Sequence, residues 1–220
     1  MSRLFVVATP IGNLEDVSAR ALRVLSEVSA IAAEDTRVTS RLLARHSIRK
    51  PMISYRAPVE RRGMPRVLSA LDAGDVALVS DAGTPSVSDP GQQLVAAAWA
   101  AGHTVVPIPG PSSVTAALSI AGYGGQGFTF LGYLPRKPGE MRRLLATLGA
   151  RPAVAFDSPY RITKSLGVIA EVLPDRQLTV TRELTKVHEE VLRGTATEVQ
   201  AALGDRARGE FTLVIDGPHE

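Results

Sequence analysis

The sequence predicts an α/β protein of two domains, with a mainly parallel N-terminal sheet and a mixed C-terminal sheet. Short apolar runs alternate with segments whose apolar residues recur at helical spacing, which is typical of parallel sheets covered by helices. Three loops rich in proline and glycine follow such runs. The densest group of glycines lies at residues 122–127. We therefore expect a boundary between residues 115 and 127, with domains at 1–118 and 119–220.

The elements of the two halves follow from their apolar patterns. In the first half, residues 4–8, 30–33, 75–79 and 104–108 have the apolar character of strands buried on both faces. Apolar spacing predicts helices at 21–28, with Asp16 or Ser18 as N-cap, and at 39–45 and 92–101. In the second half we predict strands at 128–131, 153–156, 178–181, 191–193 and 211–215, and helices at 140–148 and 162–173. The closing strands are expected to be antiparallel or mixed.

Composition sets limits on the kind of protein. Of the 220 residues, 45% are hydrophobic and 21% are charged, as in ordinary globular chains. No apolar run is long enough to cross a bilayer and the start lacks a signal-peptide layout, so we expect a cytoplasmic protein without a membrane partner. The absence of cysteine excludes disulfides and thiolate sites, and the four histidines show no metal-ligand spacing. We expect no metal.

Basic residues are concentrated in one stretch. Residues 37–66 hold nine arginines and lysines and a single acid, Glu60. Such a run can be a solvated face, but it also attracts anions. Three of the arginines recur every fourth residue and therefore share a helix face beside a loop that carries three more. We predict that these six bind RNA phosphates: Arg37, Arg41, Arg45, Arg56, Arg61 and Arg62.

The loops at residues 9–13, 80–91 and 109–113 are the candidate binding loops. Because ligands of open α/β sheets bind beyond the carboxyl ends of the strands, the three loops are expected to surround one small-molecule cleft. Glycine lets backbone approach a ligand closely, although turns use glycine and proline for structural reasons too. None of the loops contains G-x-G-x-x-G or G-x-x-x-x-G-K-[ST], which disfavours a dinucleotide site and a P-loop.

The sequences of these loops resemble those of a known family. Residues 7–14, 32–37, 78–85 and 107–112, and later 132–135, 158–161, 182–186 and 190–195, are similar to the small-subunit ribosomal RNA 2′-O-ribose methyltransferase I family. That family belongs to the tetrapyrrole methylase-like, class III, methyltransferases. The resemblance implies transfer of methyl from S-adenosylmethionine to the ribose of a decoding-centre cytidine in 16S rRNA of the small ribosomal subunit. It also implies a homodimer with the cofactor between its two domains.

The resemblance further implies which residues serve the reaction. The residues expected to contact the cofactor are Pro10, Gly12, Asp81, Ala82, Gly83, Thr84, Val87, Ser112, Ser113, Asp157 and Leu184. The ribose hydroxyl must lose its proton, which a base or a nearby positive charge assists. Lys186, Asp35 and Glu34 are the candidates, although Lys186 could instead pair with Glu183 or Glu189 and the two acids could cap a helix.

Two other functions remain compatible with the sequence. A methyltransferase of the same fold could act on a tetrapyrrole, although Thr84-Pro85 stands where tetrapyrrole enzymes tend to have Asp-Pro. A non-catalytic nucleotide- or RNA-binding module would bind the methyl donor without turnover.

Overall fold

The computed structural model describes residues 2–56, 60–123 and 127–217. The chain forms two compact units, Met1–Ser112 and Ser113–Glu220, called here the N-terminal and C-terminal units. Gly124 to Gln126, part of the glycine-rich stretch where a boundary was expected, lie outside the described residues.

The N-terminal unit is a five-stranded sheet with helices in the connections. Its elements are β1 (Arg3–Val7), a 3-10 helix (Leu14–Asp16), α1 (Ala19–Glu27), β2 (Ala30–Ala33), α2 (Thr36–Arg45), β3 (Met52–Ser54), α3 (Glu60–Ala73), β4 (Val76–Val79), α4 (Gln92–Ala100) and β5 (Thr104–Ile108). The strand order is β3-β2-β4-β1-β5, and every pair is parallel. All four residues of β2 and of β4 are buried, as a sheet covered on both faces requires.

The C-terminal unit has a sheet of mixed direction. Its elements are α5 (Ser113–Ala121), β6 (Thr129–Tyr133), α6 (Pro138–Ala146), β7 (Ala153–Asp157), α7 (Ile162–Val172), β8 (Gln177–Arg182), β9 (Glu190–Thr195), α8 (Ala196–Leu203) and β10 (Phe211–Ile215). The order is β6-β7-β10-β8-β9, in which β6 and β7 are parallel and the remaining pairs antiparallel. The predicted α/β class, with one parallel and one mixed sheet, is confirmed.

Side-chain caps fix where several helices begin. Ser18, one of the two predicted N-caps of α1, accepts a hydrogen bond from the backbone N–H of Ala21 at 3.1 Å. Asp35 caps α2 through the N–H of Arg37. Thr195 and Glu198 form a reciprocal capping box at the start of α8. These bonds satisfy N–H groups that have no partner inside the helix.

Within the described ranges, no helix combines the length and the apolar character needed to cross a membrane.

Candidate active site at the carboxyl edge of the parallel sheet

The three predicted binding loops meet at one edge of the N-terminal sheet. Because β1, β4 and β5 are parallel neighbours, the loops that follow them leave from the same edge. Thr9 and Gly83 exchange backbone hydrogen bonds of 2.9 and 3.0 Å, which joins the first loop to the second. The hydroxyl of Thr84 donates to the carbonyl of Pro111 at 3.4 Å, which joins the second loop to the third. The sequence-predicted loops therefore form one continuous surface.

Close approach and unusual backbone shape distinguish these loops. Gly83 has φ +74°, a conformation that side chains disfavour. A Cβ atom on Gly110 would lie 3.0 Å from the Cβ of Ala8. Ser86 and Ser88 also have positive φ, at 72° and 64°. Holding a non-glycine residue at positive φ costs free energy, and such residues are concentrated at functional sites. The loop 80–91 is therefore a candidate functional site.

The residues of these loops that were expected to bind the cofactor differ in exposure. Gly83 and Pro10 are buried, and Gly12 and Val87 are exposed. The half-buried residues are Ala82, Thr84 and Ser112, and Ser113, which is also half-buried, is the first residue of the C-terminal unit. Buried members shape the loop, while exposed and half-buried members can contact a ligand.

Three carboxylates lie at the same edge, where β2 and β4 end. The N–H of Asp35 donates to Oδ1 of Asp81 at 2.9 Å, and the N–H of Asp81 donates to Oε2 of Glu34 at 3.2 Å. The two strand ends are thereby tied together. Asp81 serves as the link between them.

The pKa values of Glu34 and Asp35 are shifted in opposite directions, although the two residues are neighbours in the chain. Burial raises the pKa of Glu34, and the negative charges of Asp81, Asp89 and Asp35 raise it further. Hydrogen bonds from the guanidinium and the backbone N–H of Arg37 hold the pKa of Asp35 far below its ordinary value. Glu34 is therefore suited to accept a proton, whereas Asp35 stays ionised and paired.

Lys186 lies in the C-terminal unit and is held by two carboxylates. Its Nζ donates to Oε1 of Glu183 at 2.9 Å and to Oε2 of Glu210 at 2.8 Å. Burial alone would lower the pKa of Lys186, but these hydrogen bonds outweigh it and the pKa is raised. The side chain is thus a cation at neutral pH. Of its two expected partners Glu183 is present, and Glu210 was not foreseen.

Asp157 ends β7 and is fully buried. Its Oδ1 accepts a hydrogen bond from the N–H of Ser158 at 2.8 Å and pairs with Arg161 at 2.9 Å. Arg161 also donates to the carbonyl of Leu134 at 3.0 Å. The other oxygen, Oδ2, has no partner in the part of the chain that the structure describes. Leu184, in the turn after β8, is half-buried against an apolar cluster of the same unit.

The predicted RNA-binding arginines lie on and after α2. Arg41, Arg45 and Arg56 are exposed. Arg37 is also exposed, at 84% of its side chain, but it pairs with Asp35 at 2.6 Å. The side chains of Arg61 and Arg62 lie outside the described residues.

Sequence reasoning missed several features near these surfaces. Arg49 and Lys50 line an open groove of about 630 Å³ beyond the C-terminus of α2. Thr39 lines a small cavity beside Asp81. The signal that could have indicated Thr39 is a polar residue on the apolar face of α2. Among the residues described here, no group of three histidine, cysteine, aspartate or glutamate side chains could hold a metal.

Comparison with known proteins identifies the family. Residues 3–200 match the family model described as Tetrapyrrole (Corrin/Porphyrin) Methylases. Ribosomal RNA small subunit methyltransferase I of Neisseria meningitidis serogroup B is 47% identical, over 99% of this chain and 78% of its own length. The protein of that name from Thermotoga maritima is 42% identical over 99% of both chains.

Solved structures agree on the fold. Uroporphyrin-III C-methyltransferase of Thermus thermophilus, complexed with S-adenyl homocysteine, has a TM-score of 0.69 at 18% identity, covering 97% of both chains. Diphthine synthase has a TM-score of 0.73 at 14% identity, covering 98% of this chain and 90% of its own. The chain belongs to the ribosomal RNA small subunit methyltransferase I family of the tetrapyrrole methylases.

Proposed function

We propose that this chain is an S-adenosylmethionine-dependent methyltransferase of small-subunit ribosomal RNA, and that it methylates the ribose 2′-oxygen of a decoding-centre cytidine in 16S rRNA. The observation that carries the first part is the identity of 42–47% to proteins named ribosomal RNA small subunit methyltransferase I, over 99% of this chain. The porphyrinoid and diphthine enzymes share the fold at 21% identity or less. The finer target rests on the motif resemblance and on the chemistry of the site.

Features of the loops in the N-terminal unit support a binding site for the methyl donor there. A Cβ atom on Gly110 would lie only 3.0 Å from that of Ala8, so the third loop packs closely against the end of β1. The hydroxyl of Ser86, which is buried, has no hydrogen-bond partner within the described ranges. In this proposal the loops 9–13, 80–91 and 109–112 hold the donor, with Gly12, Thr84 and Val87 as contacts. When bound, S-adenosylmethionine supplies an electrophilic methyl group on sulfonium.

Because such a methyl is already reactive, the residues mainly have to orient the acceptor and remove its proton. We assign the proton to Glu34, whose raised pKa and half-buried carboxylate suit a general base. Asp35 remains ionised beside Arg37 and holds the start of α2. Lys186 keeps its proton and contributes positive charge instead of acting as a base.

The arginines on the exposed side of α2 would bind RNA phosphates. Arg41 and Arg45 are exposed, and no carboxylate partner for them lies in the described part of the chain. Phosphate contacts position a nucleic acid without reading its sequence. Selection of the nucleotide must therefore come from groups nearer Glu34.

The test uses purified chain, labelled S-adenosylmethionine and small subunits from cells that lack the gene. We expect label in 16S rRNA at one cytidine, in a form that resists alkaline cleavage because the 2′-oxygen is blocked. Subunits from wild-type cells, already methylated, are the control. Label on a base, or on an offered porphyrinoid precursor, would contradict the proposed acceptor, and donor binding without turnover would indicate a binding module.

Homodimerisation and a cytoplasmic location are further proposals from the motif resemblance. Light scattering of the purified chain tests the first, and fractionation of cells tests the second.

A further inference from the structure

A small cavity adjoins the carboxylates at the sheet edge. It measures about 50 Å³ and is lined by residues of the loop after β1, of α2 and of the end of β4. Since a water molecule occupies about 30 Å³ of liquid, the cavity has room for one or two waters or for the polar edge of a ring. It is too small for a whole nucleotide.

One residue that lines the cavity has a buried hydroxyl without a hydrogen-bond partner. Thr39 lines the cavity and is 4% exposed, and its Oγ1 has no hydrogen-bond partner among the residues that the structure describes. The other two hydroxyls of the wall are bonded, since Thr9 donates to the carbonyl of Ser80 and Ser80 donates to the carbonyl of Ala82, both at 3.2 Å. Buried hydroxyls without partners are rare because they cost stability, so we expect the hydroxyl of Thr39 to form a hydrogen bond with a ligand or with a water molecule.

The rest of the wall suits a nucleobase. Leu14 and Val38, which also line the cavity, are exposed at 38% and 37%, and so present apolar surface to a ring. Asp81 adds a carboxylate, one oxygen of which accepts the N–H of Asp35. A carboxylate accepts hydrogen bonds and donates none, so this wall favours a ligand edge that carries N–H donors.

The cavity is coupled to the proposed base. The N–H of Asp81 donates to Glu34 at 3.2 Å, so one residue contacts the general base and lines the cavity. A ribose whose hydroxyl reached Glu34 would therefore lie beside Asp81, which also lines the cavity.

We propose, resting on the proposed function, that this cavity receives the amino edge of the acceptor nucleobase and that Thr39 and Asp81 accept hydrogen bonds from it. Cytosine presents an exocyclic amino donor where uracil presents a carbonyl acceptor. Asp81 would bond the first and repel the second. The cavity thus selects cytidine over uridine at the methylated position.

The test is Thr39→Val, which keeps the shape of the side chain and removes the hydroxyl. Because that hydroxyl is unpaired, thermal unfolding of the variant should show no loss of stability. The matched control is Ser165→Ala, which removes another buried, unpartnered hydroxyl, on α7 of the C-terminal unit. Each protein is assayed on small subunits reconstituted with cytidine or with uridine at the acceptor position.

We expect the wild type and Ser165→Ala to prefer cytidine. Thr39→Val should lose roughly 3- to 10-fold in kcat/KM on cytidine, as the loss of one hydrogen bond predicts, with little change on uridine and unchanged affinity for S-adenosylmethionine. An unchanged preference would show that the hydroxyl holds only water and would overturn the proposal. Weaker donor binding in Thr39→Val would assign the cavity to the donor and overturn it too. Failure of the wild type on both substrates would instead refute the proposed function.

Discussion

Replacing Arg161 with methionine should destabilise the C-terminal unit strongly, because it leaves the buried carboxylate of Asp157 without its cationic partner. The side chain of Asp157 is 0% exposed and that of Arg161 is 21% exposed. Methionine keeps much of the length of arginine but supplies no charge. The change removes the 2.9 Å ion pair and the 3.0 Å bond to the carbonyl of Leu134, and leaves Asp157 with the N–H of Ser158 alone.

The expected cost is about 3–5 kcal/mol, the range for breaking a buried ion pair by removing one partner. For a chain of this size about 2–4 °C of melting temperature corresponds to each kcal/mol, so the transition should fall by roughly 6–20 °C. Urea denaturation followed by circular dichroism measures the free energy, and calorimetry measures the temperature. Adding Asp157→Asn to Arg161→Met removes the stranded charge, so the double variant should recover much of the loss.

The control is Arg142→Met, the same substitution at an exposed pair. Arg142 contacts Glu171 through two hydrogen bonds of 2.9 and 2.7 Å, but the two side chains are 46% and 55% exposed. Solvent screening should limit its effect to less than about 1 kcal/mol. If Arg161→Met cost no more than this control, or if the double variant recovered nothing, the reasoning from burial would be refuted.

Three further predictions concern the reaction. If Glu34 is the base, wild-type activity should rise with pH as Glu34 loses its proton, and Glu34→Gln should abolish this rise and lower kcat by about 10²- to 10⁴-fold. Because the pKa of Glu34 is raised above 4.5 in the fold, its contribution to wild-type stability is lost as pH rises from 4.5 through the raised pKa. The variant should therefore unfold no more easily than the wild type at pH 7. Arg41→Gln with Arg45→Gln should reduce the slope of log affinity for rRNA against log salt by about 1.4–1.8, with donor affinity unchanged in calorimetry and with Arg142→Gln as control. Lys186→Met should lower activity without altering the pH profile of activity near neutrality. The ion pairs of Lys186 raise its pKa above 10.5, so the variant should also lose about 1 kcal/mol of stability at pH 7. This difference in stability disappears as pH rises through the raised pKa.

The sequence was sufficient for those strands whose burial is complete. β2 and β4 are buried at every position, and an unbroken apolar run shows this directly. β3 was missed because it has three residues, none of them fully buried, at the edge of the sheet. α3 was missed although Met64, Val67, Leu68 and Leu71 recur at helical spacing, so the signal was present within the basic stretch.

α3 shows how packing overrides local preference. Gly63 and Pro65 lie inside it, and both disfavour a helix interior. The helix nevertheless forms, and it buries Val67 and Leu71 completely. A Cβ atom on Gly63 would lie 2.9 Å from the carbonyl of Ser54, so the glycine allows the helix to pack closely on the segment after β3. Such contacts link distant parts of the chain, which a local pattern cannot predict.

The candidate site could be predicted in its parts but not in its electrostatics. That the loops after β1, β4 and β5 meet follows from parallel strands and was expected. That Lys186 pairs with Glu210 follows from the antiparallel pairing of β8 with β10, whose register cannot be predicted from a local pattern. The cavity beside Thr39 depends on how α2 packs on the sheet edge, so it could not be foreseen either.

The contrast between Glu34 and Asp35 explains how one strand end can serve two purposes. Asp35 directs its carboxylate to the first turn of α2, where it meets the N–H and the guanidinium of Arg37, and both favour the charged form. Burial and the negative charges around Glu34 favour its neutral form, and they outweigh the hydrogen bond from the N–H of Asp81, which favours the charged form. A residue that anchors a helix must stay ionised, whereas a base must exchange its proton near working pH. The two carboxylates meet these demands through different partners, because Glu34 bonds to the segment after β4 and Asp35 bonds to the first turn of α2. The sequence Glu-Asp at this position therefore places a proton acceptor beside a fixed anchor, and exchanging the two residues would leave neither in the environment that its role requires.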